Sequence, residues 1–180
     1  MVNPAAGLPL IRTERLLLRA FANADADNLV RIAGQRSIAD TTISVPHPFT
    51  RADALQWIER SQSETLASDH IGFAVADHHG ELIGYAGLHD INREHGQAEL
   101  AFWIDPMRQG QGFAFEAAKG VVNFAFDSLE IHRICAYHMT RNEASGKLLK
   151  KLGFEQEGYL RHRVRKWGQF EDVKLWALLR

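Results

Sequence analysis

The sequence predicts a mixed α/β protein: a central sheet of about six to seven strands with helices on both faces. Three observations predict it. A β-meander pattern runs from residue 71 to 104, with a hairpin turn at His78-His79-Gly80. A long, mostly apolar helix pattern, from Gly112 to about Ser128, follows that meander after a glycine-rich turn. Beyond it come a strand pattern at 133–139, a short helix opening at Asn142, and a terminal hairpin, 155–164 with 171–179, turning at Trp167-Gly168.

The elements follow in order. Residues 1–10 hold two prolines and a glycine and read as a flexible arm; residues 11–180 read as one domain. Residues 14–21 read as a strand. Asp25 is placed to cap a helix reaching Gln35, with Leu29, Ile32 and Ala33 inward. The stretch 37–50, stiffened by Pro46 and Pro48, reads as a loop. A second helix spans about 51–67 on Ala54, Leu55 and Ile58. Strands at 71–76, 81–88 and 98–104 make the meander. The 112–128 helix carries one polar stripe, Glu116, Lys119, Asn123 and Asp127, so it packs deeply.

Composition narrows the function classes. A net charge of −1 gives no global attraction to nucleic acid or anionic membranes. No apolar run approaches the ~20 residues that span a bilayer, and the N-terminus shows no secretory signal pattern. One cysteine, Cys135, excludes an intrachain disulfide framework and reads as a strand residue facing the core. These features favour the cytoplasm. The nine histidines lack metal-ligand spacing, so no metal is expected. The basic run 161–166 reads as the solvated face of a strand.

The chemistry concentrates at 99–114. Glu99-Leu-Ala-Phe102-Trp103-Ile104 is strand-like, and Gln109-Gly110-Gln111-Gly112-Phe113-Ala114 precedes the long helix. Glycines let successive backbone N–H groups converge on an anion, and a helix N-terminus adds partial positive charge. A Walker loop fails for want of Lys-Ser or Lys-Thr after the glycines, and a dinucleotide fingerprint lacks its third glycine. The pattern met is Gln109-x-x-Gly112-x-Ala114. A turn carrying two glycines ahead of a core helix remains the plain alternative.

A second constellation lies at Asn142-Glu-Ala-Ser145-Gly-Lys147-Leu-Leu-Lys-Lys-Leu-Gly153-Phe154. Asn142 is a good N-cap and Gly153 a good C′ residue. Ser145 shares a helix face with Leu148, Leu149 and Leu152. Its hydroxyl either bonds back to the preceding turn or meets a ligand.

Taken together, these motifs resemble the GNAT superfamily of acyl-CoA-dependent N-acyltransferases. The pattern is nearest the ribosomal-protein N-terminal (Rim-type) branch, which the opening Arg12-Thr-Glu-Arg-Leu-Leu-Leu-Arg19 and the closing 158–173 also resemble. The resemblance implies a GNAT-like mixed sheet and direct acetyl transfer from acetyl-CoA to a primary amine, without a metal. It further implies pyrophosphate held by backbone N–H groups between Gln109 and Ala114, and pantetheine paired along Phe102, Trp103 and Ile104 and bonded by Asn142. Arg108 and Lys147 are placed to reach the phosphates or simply to be solvated. Glu99 is implied as general base, its alternative being an ion pair with a basic neighbour. Ser145 is implied as the acid for the departing thiolate. The broad family's Tyr position is Leu149 here, and the penultimate-strand carboxylate of some Rim-type members falls at Val164. The acceptor expected is a protein N-terminus, with a homodimer possible. The alternatives are a polyamine, amino-acid or antibiotic acetyltransferase, and an acyl-CoA-binding domain without turnover. The 37–50 segment carries one acid, Asp40, which does not favour a polyamine.

Overall fold

A computed structural model describes residues 7–64 and 66–180. The first six positions of the predicted arm lie outside the described residues; within the remainder, Leu8 packs against the main core.

One sheet of eight strands organises the chain, in the order β1-β2-β3-β4-β5-β6-β8-β7. The strands are β1 (Ile11–Arg12), β2 (Leu16–Arg19), β3 (Ile71–Asp77), β4 (Leu82–Asn92), β5 (Gln97–Ile104), β6 (Arg133–Met139), β7 (Glu155–Lys166) and β8 (Gln169–Leu179). The helices are α1 (Ala26–Ala33), α2 (Arg36–Thr41), α3 (Arg51–Gln62), α4 (Phe113–Asp127) and α5 (Glu143–Lys151). The mixed sheet with helices on both faces is as predicted. The predicted 14–21 strand is β2, and the eighth strand is β1, which lies ahead of it in the chain and pairs with it antiparallel across the Thr13 to Arg15 turn.

Three further boundaries differ. Asp25 does not cap α1; its buried carboxylate accepts from the Arg19 guanidinium at 2.7 and 2.8 Å and from the Ala22 N–H at 2.8 Å. A buried carboxylate is held by the strongest donors available, and Arg19 outcompetes the helix end. Helix α2 takes up the first residues of the predicted 37–50 loop. Helix α3 stops at Gln62, short of residue 67; Thr50 caps its other end, accepting from the Asp53 N–H while Asp53 accepts from the Thr50 N–H.

Two cores sit on opposite faces of the sheet. On one face, α4 and α5 bury Leu18, Phe73, Leu88, Leu100, Ile104, Val121 and Leu149. On the other, α1–α3 bury Leu29, Ile32, Ile58, Tyr85 and Trp103. The two-residue period of β5 therefore sends Leu100, Phe102 and Ile104 to the α4 side, and Glu99, Ala101 and Trp103 to the α1–α3 side.

Candidate active site

The sheet opens in the middle. β5 and β6 are parallel and pair at only three positions, Gln97↔Arg133, Ala98↔Ile134 and Glu99↔Cys135. Beyond Glu99 they part, while β5 stays bonded to β4 as far as Ile104↔Gly84 and β6 to β8 as far as Met139↔Val173. The edge of β5 that faces β6 is thus left without a strand partner over Leu100 to Ile104. A cavity of about 1220 Å³ fills the gap. Phe102, Trp103, Ile104, Arg108, Gln109, Gly110, Gly112, Phe113, Ala114, Asn142, Ser145, Lys147 and Glu99 all line it. The two sequence constellations therefore meet at one cleft.

At one end stands the glycine turn. Gly110 and Gly112 have φ of +76° and +83°, a region other residues enter only at a cost. Gly112 occupies the N-cap of α4, and no side chain caps that helix. Among the described residues, the N–H groups of Gly112, Phe113 and Ala114 have no acceptor. The result is a concave set of donors at a helix N-terminus, suited to a phosphate. It is braced from behind. Glu116, in the first turn of α4, accepts from the Thr13 hydroxyl at 2.6 Å, the Arg15 N–H at 2.7 Å and the Arg15 Nε at 2.7 Å. Arg15 also donates to the Gln111 carbonyl at 2.9 Å and lies over the Phe113 ring. On the other flank Asp105 accepts from Arg31 at 2.6 Å and from the Met107 N–H at 3.0 Å, and the Gln109 side chain donates to the Ile104 carbonyl at 3.1 Å.

Glu99 lies where β5 and β6 diverge. Its strand neighbours on the same face are His89 of β4 and Cys135 of β6. Burial, and then the neighbouring Asp90 carboxylate, push its pKa up, against a smaller pull from Arg163. That direction suits a general base working near neutral pH. Asp90 reaches this place through a bulge in the β4–β5 ladder, with φ of +48°. Burial and then Glu99 push the Cys135 thiol up, which makes it a poor nucleophile; it is half-buried beside Glu99 and outside the core clusters, not core-facing as expected, because β6 turns Ile134 and Ala136 to the core instead.

Helix α5 supplies the opposite wall. The Asn142 side chain accepts from the Ser145 N–H at 3.3 Å, the predicted cap. The Ser145 hydroxyl makes no bond back to the preceding turn among the described residues and is half-buried at the cleft. Lys147 is 82% exposed and pairs loosely with Glu143 at 3.9 Å; Arg108 pairs with Asp77 at 3.5 Å and Glu81 at 3.7 Å.

The structure adds residues that sequence reasoning missed. Tyr137, two positions beyond Cys135, lines the cleft. So does His138, whose Nδ1–H donates to the Met139 carbonyl at 2.9 Å. Its buried Nε2 has no partner among the described residues. A Cβ on Gly146 would stand 2.8 Å from that atom, so the glycine lets α5 close over the imidazole. Arg163 and Arg165 of β7 line the cleft as well.

The family model for the acetyltransferase (GNAT) domain matches residues 15–155. This chain is a GNAT acetyltransferase. The uncharacterized N-acetyltransferase YoaA of Bacillus subtilis (strain 168) is 30% identical to it over 188 residues, covering 96% of this chain and 97% of YoaA. The [ribosomal protein uS5]-alanine N-acetyltransferase of Escherichia coli (strain K12) is 38% identical over 99 residues, covering 54% of this chain and 51% of that protein. A solved structure of spermidine N-acetyltransferase from Vibrio cholerae, in complex with CoA and spermine, superposes with a TM-score of 0.80 at 26% identity, covering 93% of this chain and 96% of that one. The acetyltransferase therefore uses acetyl-CoA as donor, and the splayed strands, the free N–H groups of the glycine turn and the cleft volume fit that co-substrate. Among its described residues no group of side chains could hold a metal ion, and no helix is long and apolar enough to cross a membrane.

Proposed function

We propose that this acetyltransferase acetylates a protein N-terminal amine of the ribosomal-protein type. The observation that carries this reading is the charge around the acceptor end of the cleft. Among the described residues two carboxylates line the cavity, Glu99 and Asp90; Arg163, which acts on Glu99, and Arg165 line it too. A polyamine is held best by a carboxylate for each ammonium, and two arginines lining the same cavity oppose it. A peptide presents one amine, and its chain meets the apolar wall of Ile38, Ile43, Val45 and Trp57. The ribosomal-protein relative supports the same choice; the spermidine-acting relative keeps the polyamine as the competing acceptor.

When bound, acetyl-CoA supplies an activated acetyl group. Each residue then has a task. The N–H groups between Gln109 and Ala114 hold its pyrophosphate, and Asn142 and the free edge of Phe102 to Ile104 align its pantetheine. The elevated affinity of Glu99 for protons lets it take one from the acceptor ammonium. Ser145, with its hydroxyl otherwise unengaged, donates towards the leaving sulfur. The setting we infer is cytoplasmic, consistent with the single unpaired cysteine, and a homodimer is the assembly we would look for.

Initial rates of CoA-thiol release with Ala- and Ser-initiated ribosomal peptides, set against spermidine, test this reading. We expect kcat/KM at least tenfold higher for a peptide. A preference for spermidine of that size would overturn it.

A further inference from the structure

Behind Glu99 lies a chain of buried and half-buried polar side chains that acetyl transfer, as described above, does not use. Glu64 is 7% exposed and accepts from the Gly72 N–H at 2.7 Å. Its other oxygen stands 2.8 Å from His70 Nδ1, close enough for an ion pair with a protonated imidazole but out of line for a hydrogen bond. His70 Nε2 is 3.0 Å from the Tyr85 hydroxyl, and that hydroxyl is 3.0 Å from His89 Nε2. The two imidazoles stack at 4.2 Å. His89 lines the cleft and is the β4 partner of Glu99 across the strand pair. Its Nδ1 makes no hydrogen bond among the described residues.

Space has been cleared for this chain. A Cβ at Gly87 would meet the Tyr85 hydroxyl at 2.4 Å, and one at Gly72 would meet the Tyr85 ring at 2.9 Å. Two strand interiors thus give up side chains so that a phenol can lie across them. Glycine weakens a strand, and a buried carboxylate and phenol with two half-buried imidazoles cost desolvation that a hydrophobic core would avoid. Packing alone gives no reason for the arrangement.

We propose that Glu64, His70, Tyr85 and His89 form a proton relay that takes the acceptor's proton from Glu99 and carries it away from the cleft. The inference rests on the acetyl-transfer reading, with Glu99 as the first proton acceptor. The hydrogens balance with one tautomer assignment. His70 carries its proton on Nδ1, on the side of the Glu64 carboxylate, and accepts from the Tyr85 O–H at Nε2. His89 carries its proton on Nε2, donating to the Tyr85 oxygen, and leaves Nδ1 as a lone pair. A proton leaving the Glu99 carboxyl binds His89 Nδ1. The Nε2–H of His89 passes to the Tyr85 oxygen, and the Tyr85 O–H passes to His70 Nε2. Three N–H or O–H bonds form as three break. The positive charge ends on His70 beside the Glu64 carboxylate, which stabilises it, and the partly exposed His70 returns the proton to water.

The charged groups facing the chain are Arg60 of α3, near Tyr85 and His89, and Asp90 and Arg163, near Glu99. Burial, then His70 and Arg60, push the His89 pKa down to about 4. His89 therefore rests neutral, with its lone pair ready, and does not hold the proton it passes on.

Two measurements test the relay. The first is kinetic. Tyr85→Phe keeps the ring and removes only the hydroxyl; His89→Ala opens the cleft end. Each is expected to lower kcat roughly tenfold, with the acetyl-CoA KM within twofold of wild type. Added free imidazole should restore much of the His89→Ala loss, a response that a merely structural role would not produce. Wild-type kcat in both variants, or a His89→Ala loss that imidazole leaves untouched, would overturn the proposal. The second is nitrogen NMR of the imidazoles in the protein without ligands, where Nδ1–H at His70 and Nε2–H at His89 are expected. The reverse pair of tautomers would overturn the relay whether or not the protein turns over. Acetyl-CoA binding without transfer to any amine would instead sink the transfer reading, and the tautomers would still judge the chain.

Discussion

The two sides of the cleft are built by opposite means. On the donor side, the glycine turn works through its backbone. Its donors are main-chain N–H groups, and side chains such as Glu116, Arg15 and Asp105 stand behind it as braces. On the acceptor side, β4 and β5 work through side chains: Glu99, His89 and Tyr85 sit in the sheet interior, on strands fixed by their ladder. A backbone site tolerates substitution of its side chains but not of its conformation. A side-chain site tolerates small backbone adjustment but not loss of a functional group. The difference predicts which changes act on binding and which on turnover.

Glu99→Gln gives the largest expected effect. It keeps shape and removes the base, so kcat should fall by a factor on the order of 10² or more, while the acetyl-CoA dissociation constant stays within twofold. For the wild type, kcat should fall as pH drops through the Glu99 pKa, an acid limb lying above the ordinary carboxylate range because that pKa is raised. Stability should move the other way. A carboxyl whose folded pKa is raised makes the native state bind more protons, so its charge destabilises the fold above that pKa. At pH 7 the Gln variant should melt slightly higher, and the gap should close below about pH 4. Equal turnover across the pH range would remove Glu99 from the mechanism.

Gly112→Ala should act on the opposite side. At φ of +83° an L side chain costs about 1–2 kcal/mol, and this Cβ would also press on Arg15 at 3.3 Å. The acetyl-CoA KM should rise roughly tenfold with kcat nearly held. A fall in kcat alone would mean that the turn positions the reacting group as well as the phosphates.

Glu116→Gln tests the brace. It removes the charge that ties Thr13 and Arg15 to α4, and a loss of roughly threefold to tenfold in acetyl-CoA affinity is expected, measured by calorimetric titration. Lys147→Ala sets the floor. The side chain is 82% exposed, so its change should stay within about twofold in every constant.

What could be read from the sequence followed the same division. The glycine turn and the Asn142 helix were legible because each packs its chemistry into a few consecutive residues, where capping and helix-end rules apply. Most strands were legible from alternation. The β1–β2 turn was not, because Thr13 to Arg15 contains neither glycine nor proline, and its geometry is set by Glu116 a hundred residues away. Helix α2 is six residues long, too short for a periodic signal. The relay was invisible for a deeper reason. Its members come from the segment after α3, the lead into β3 and two positions of β4, and only strand register joins them. A clue was present: Gly87 sits in a strand that buries every residue from Leu82 to Leu88, and a glycine in a strand interior asks what fills its place.

The order of the sheet also bears on how the molecule is made. β8 lies between β6 and β7 and follows both in the chain, bonding to each along most of its length. During synthesis, the strands from β1 to β5 can pair with their neighbours as they appear. The far wall of the cleft cannot, because β6 has no antiparallel partner until residues near Leu179 have left the ribosome. A nascent chain stalled before that point carries the glycine turn and an open strand edge, with no finished site and a surface that invites pairing with a second chain.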